Sequence, residues 1–138
     1  MATRLNPYIS FTDTARDAMT FYQQVLGGSL ELHPFSEYGT TEEPTASLIM
    51  HGMLETDDGL TVMASDTPPG METRSGNNIT ISLSGDDAEE LRRRFEGLAE
   101  GGTVTMPLEK QVWGDEFGQL TDRFGINWMV NIAGAEQA

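Results

Sequence analysis

The chain has 138 residues, 38% of them hydrophobic, so it can bury a core within one domain and lacks the composition of a disordered chain. Its 22 acidic and 8 basic residues give a net charge of −14, which disfavours nucleic acid and anionic membrane surfaces as partners. With no cysteine there can be no disulfide, thiolate metal site or cysteine nucleophile. No apolar run is long enough to cross a bilayer, and Met1-Ala2-Thr3-Arg4-Leu5 lacks a signal-peptide pattern, so a cytoplasmic location is expected.

Taken in chain order, the first strand-like run is Leu5 to Phe11. Asp13 then offers an acceptor for the free amides of a helix start. Ala15, Met19, Tyr22 and Leu26 recur at helical spacing, and Gly27-Gly28 ends the helix. Ser29 to His33 reads as a strand and Pro34 to Thr45 as a loop. Ala46 to Leu54 and Leu60 to Ala64 read as two further strands, joined by the turn Asp57-Asp58-Gly59. Thr67 to Asn77, rich in Pro, Gly and Thr, reads as a linker. The second half repeats the order. Asn78 to Leu83 is strand-like, Asp87 starts a helix with Ala88, Leu91, Phe95 and Leu98 on one face, and Gly101-Gly102 follows. Thr103 to Pro107, Glu116 to Thr121 and Ile126 to Ile132 complete it, the last two joined by Asp122-Arg123-Phe124-Gly125. The tail Ala133 to Ala138 is expected to fray.

The helices of the two halves match at an offset of 74 residues: Asp13 with Asp87, Phe21 with Phe95, Gly27-Gly28 with Gly101-Gly102. Each half therefore reads β-α-β-β-β. The expected fold class is α+β, a single domain over residues 1–138. Module 1 spans about 1–66, the linker about 67–77 and module 2 about 78–133. One such half has a sheet face that it cannot bury alone. Two halves with curved mixed sheets are expected to enclose a cavity.

This doubled pattern resembles the vicinal oxygen chelate superfamily, which includes glyoxalases, bleomycin-resistance proteins and dioxygenases, and within it the PhnB-like branch. Four segments carry the resemblance: Pro7 to Phe11, Phe21 to Gly28, Ile49 to Leu54, and Val112 to Trp128 with its Trp113-Gly114-Asp115-Glu116-Phe117-Gly118 core. Some members of the branch bear a demethylubiquinone methyltransferase label. No methyltransferase glycine loop occurs in this chain, and that activity is not expected.

The resemblance implies four metal-ligand positions, from the first and last strand of each module. They fall on Pro7, Met63, Asn78 and Met129. Proline has no ligand atom, a thioether is a poor donor for hard divalent ions, and the Asn amide is weak. Neither these nor their neighbours Tyr8, Val62, Ile79, Trp128 and Val130 make a ligand set, so no metal and no cofactor are expected. His51 has two readings: a half-buried histidine bonded to a neighbour, or a cavity-lining proton carrier and weak catalytic candidate. Trp113 is either the cap of a sheet edge or part of a lid with Phe117. Arg92-Arg93-Arg94 reads as a solvated face pairing with Glu89 and Glu90. The leading functional reading is a metal-independent binder of an apolar or aromatic small molecule, lined by Tyr8, Met63, Trp113, Phe117 and Met129. The alternatives are a metal-dependent lyase, isomerase or dioxygenase, and a metal-free enzyme using His51. A homodimer is expected, since superfamily members commonly pair.

Overall fold

The computed structural model describes residues 3–134 and is α+β, with two four-stranded mixed sheets and two long helices. The chain divides into two compact units between Arg74 and Ser75, within the expected linker. The first runs β1 (Tyr8–Phe11), α1 (Ala15–Leu26), β2 (Ser29–Pro34), β3 (Ile49–Glu55) and β4 (Thr61–Asp66), with sheet order β1-β4-β3-β2. The second runs β5 (Ile81–Gly85), α2 (Ala88–Ala99), β6 (Thr103–Lys110), β7 (Glu116–Thr121) and β8 (Asn127–Ile132), with order β5-β8-β7-β6. In both, the first and last strands pair in parallel and the other pairs are antiparallel. Every expected element is present. Several bounds move: β1 begins at Tyr8 rather than Leu5, and β5 at Ile81 rather than Asn78. The start of the expected third strand, Ala46 and Ser47, lies instead in a 3-10 turn, Thr45–Ser47.

Helical spacing explains how each helix sits on its own sheet. In α1 the residues Ala15, Ala18, Met19, Tyr22, Val25 and Leu26 form one buried stripe. The sheet answers with Phe11, Leu54, Val62 and Ala64, all buried. In α2 the stripe is Leu91, Phe95 and Leu98, and β7 and β8 answer with Leu120, Trp128, Val130 and Ile132.

The helix starts differ from the expectation in one respect. Asp87 caps α2, its Oδ1 accepting the Glu90 amide at 3.2 Å. Asp13 does not cap α1. It lies at φ 57°, and the free Ala15 amide donates instead to Asp66 Oδ1 at 2.9 Å. The other oxygen of Asp66 accepts the Ile49 amide at 2.9 Å, so one buried carboxylate joins β4, α1 and β3. Sequence proximity points to Asp13; the three-dimensional packing brings Asp66 to the amide first.

The glycine pairs have a second role besides ending helices. A Cβ on Gly28 would lie 2.2 Å from the Glu55 carbonyl oxygen, and one on Gly102 2.3 Å from that of Thr121. In each module the chain entering its second strand must pass against the end of the third, and only glycine fits.

The arginine run is also not one solvated face. Arg93 and Arg94 both bond Glu90, with Arg94 Nε at 3.1 Å and its side chain nearly buried. Arg92 reaches across to Glu116 on β7 rather than to Glu89.

Candidate functional site

Each sheet has one face against its own helix and one turned away from it, and strand alternation decides which residues share each. In β4 the buried Val62, Ala64 and Asp66 alternate with the half-buried Thr61, Met63 and Ser65. In β8 the buried Trp128, Val130 and Ile132 alternate with Asn127, Met129 and Asn131. Met63 and Met129 therefore lie on the face turned away from the helix, and Trp128 on the helix side. Its indole nitrogen is tied to Asp122 Oδ2 at 2.9 Å.

On module 1 the register reads straight across the sheet: Tyr8 opposite Met63, Met63 opposite Met53, Met53 opposite Glu31. Tyr8 is 52% exposed, and its ring centroid is 6.0 Å from that of His51. His51 is itself opposite His33. On module 2 the corresponding row is Ser82, Met129, Gln119 and Met106. Phe117, two residues before Gln119 on β7, lies on the same face.

Trp113 is carried by the hairpin between β6 and β7, closed by the Gln111 amide on the Asp115 carbonyl at 2.7 Å. Its ring meets Phe117 edge-on at 6.3 Å. Asp115 holds this end of the module together. Asn131 Nδ2 donates to it at 3.0 Å and the Gly134 amide at 2.9 Å. Those two bonds, with a third from the Trp113 side chain, keep the Asp115 carboxyl below the usual aspartate range.

The structure thus gathers Tyr8, Met63 and His51 on one sheet face, and Phe117 and Met129 on another with Trp113 at its hairpin. Sequence reading does not place His33, Met53, Ser10 and Ser65 beside these residues, because nothing in a strand's own residues shows which partner it takes. Only the register supplies that.

Register shows what stands beside the positions that the resemblance implies for a metal. Pro7 and Asn78 precede their strands, and the first-strand residues beside Met63 and Met129 are Tyr8 and Ser82. Neither pair, a phenol with a thioether or a hydroxyl with a thioether, fits a hard divalent ion any better. Among the described residues, no three His, Asp or Glu side chains gather closely enough to hold a metal ion.

Comparison with known proteins agrees with this architecture. The model of the glyoxalase/bleomycin resistance protein/dioxygenase superfamily matches residues 4–130. The chain is 33% identical to Protein YjdN of Escherichia coli over 140 residues, covering 93% of this chain and 94% of that one. Among solved structures, protein PA1353 from Pseudomonas aeruginosa superposes with a TM-score of 0.86 at 38% identity, over 96% of this chain and 99% of that one. The PhnB protein from Bacillus cereus shares the fold, with a TM-score of 0.75 at 20% identity over 95% and 100% of the two chains.

Proposed function

The chain belongs to the glyoxalase/bleomycin resistance protein/dioxygenase superfamily, and from that premise we propose that it is a metal-independent binder of an apolar or aromatic small molecule. The observation that carries this reading is the make-up of the two faces turned away from the helices. Where a catalytic metal would need imidazoles and carboxylates, the chain has Tyr8, Met63, Ser82 and Met129. Beside them lie Met53 on one face, and Phe117 with the half-exposed Trp113 on the other. Methionine and aromatic side chains form a polarizable, adaptable wall suited to flat apolar ligands. The net charge of −14 favours neutral or cationic ligands over anions, more so at low salt. The same reading includes a cytoplasmic homodimer, supported by the open sheet edge at β6, where Val104 and Met106 are each more than 40% exposed.

The test is a thermal-shift and titration screen of neutral, cationic and anionic aromatic compounds on the wild type and Met129→Glu. A carboxylate placed on an apolar ligand face is costly to desolvate, so neutral ligands should weaken by about tenfold or more. Met71→Glu, at an exposed position after β4, controls for added charge. Equal affinity in wild type and Met129→Glu would remove Met129 from the site. One tightly held Zn, Ni, Mn or Fe ion per purified chain would overturn metal independence.

A further inference from the structure

The module 1 face carries more than its apolar row. Two residues along the same four strands, and so on the same face, lie Ser10, Ser65, His51 and His33. Ser10 is opposite Ser65, and His51 opposite His33. Opposed antiparallel residues have Cβ atoms about 4.5–5.5 Å apart, so the two histidines leave the sheet from adjacent positions. His33 Nδ1 lies 3.4 Å from Glu37. The His51 ring lies 6.0 Å from that of Tyr8, centroid to centroid. Neither its ring nitrogens nor the hydroxyls of Ser10 and Ser65 have a hydrogen-bond partner among the described residues. A polar row in which Ser10, Ser65 and His51 make no side-chain hydrogen bond among the described residues therefore borders the apolar row Tyr8, Met63 and Met53.

Taking the small-molecule reading above as its basis, we infer that this face binds a flat, neutral ligand. Its aromatic or conjugated ring lies over Tyr8, Met63 and Met53, and its carbonyl-type oxygen accepts a hydrogen bond from His51. Three features select that class. The apolar row spans three adjacent strands, the width of a ring system. His51 and the two serines supply donors without requiring charge. Glu31 at the end of the apolar row and Glu37 beside His33 oppose an anionic group. A ligand lacking the acceptor would cover these donors and leave them unsatisfied, which is how a polar group within an apolar site creates selectivity.

Two probes of nearly the same outline separate the terms: 2-acetylnaphthalene, which has the acceptor, and 2-ethylnaphthalene, which lacks it. Titrations of the full chain are followed by NMR through the Met53 and Met63 methyl groups and the His51 ring. Both probes should shift the methyl signals. The ketone should bind about 2- to 10-fold tighter, the effect of one net hydrogen bond. It alone should move the His51 ring-nitrogen shift, a readout that needs no variant. His51→Phe should bring the affinity ratio close to one while the hydrocarbon still binds, and His51→Gln, which keeps a donor, should retain a preference. Equal binding of the two probes, or a preference that survives in His51→Phe, overturns the inference while leaving apolar binding intact. Methyl signals on both modules that respond to neither probe would overturn the small-molecule reading itself. Met53 and Met63 signals that change on protein dilution but not with probe would assign the face to a second copy, and that too overturns the inference.

Discussion

Asp66, Asp115 and Asp122 are nearly buried, and each accepts at least one backbone amide. A carboxylate in such a position bridges segments that share no ladder: Asp66 joins α1 to β3, and Asp115 joins the β6–β7 hairpin to the end of β8. Because bonds from Asn131, the Gly134 amide and Trp113 favour the charged form of Asp115, its pKa is lower in the folded chain than in the unfolded one. The stability it contributes is therefore fully present above the unfolded aspartate value, about 3.9, and is lost as pH falls through the lower folded value. Asp115→Asn should melt lower than the wild type at pH 7. Its melting temperature should also fall less steeply between about pH 5 and pH 3, where Asp115 of the unfolded wild type takes up a proton that the folded group does not yet bind. Parallel melting curves for the two proteins across that range would show that Asp115 is not the group responsible.

At the scale of elements, the clearest internal evidence is that both modules solve the same crossing in the same way. Gly28 against Glu55 and Gly102 against Thr121 are equivalent close approaches, and the turns that follow are equivalent too. Thr56 Oγ1 accepts the Leu60 amide at 2.9 Å, and Asp122 Oδ1 accepts the Ile126 amide at 3.1 Å. Gly102→Ala should destabilise the chain by about 1–3 kcal/mol through overpacking against backbone, with Gly28→Ala costing at least as much because it also has φ 94°. Denaturant unfolding measures both, and a change below about 0.5 kcal/mol at either would contradict the crowding. These elements were legible in the sequence because caps, glycine pairs and apolar spacing are local signals. The Asp66 cap was not, since it reaches α1 from 51 residues away. The pairing of His33 with His51 and the correct neighbours of Met63 and Met129 were equally hidden. A strand's residues state which of them share a face, but the partner strand and its register are set by packing elsewhere.

For the whole molecule, the open edge at β6 and the strong negative charge act in opposite directions. Exposed Val104 and Met106 on an edge strand favour association, while a charge of −14 on each copy opposes it, so pairing should tighten with salt. Sedimentation at micromolar concentration should give about twice the 15.1 kDa chain mass, and a species near the single-chain mass in both low and moderate salt would exclude the dimer. The two tryptophans also divide the molecule optically. Trp128 is 1% exposed and bonded to Asp122, whereas Trp113 is 53% exposed at the tip of a hairpin. Emission from Trp128 should be blue-shifted and shielded from a soluble quencher, and should report unfolding of the module 2 core. Emission from Trp113 should be red-shifted and quenchable, and should respond when something settles beside Phe117. One fluorescence sample thus carries two independent signals, so occupancy of the module 2 face can be followed in the native protein without a label.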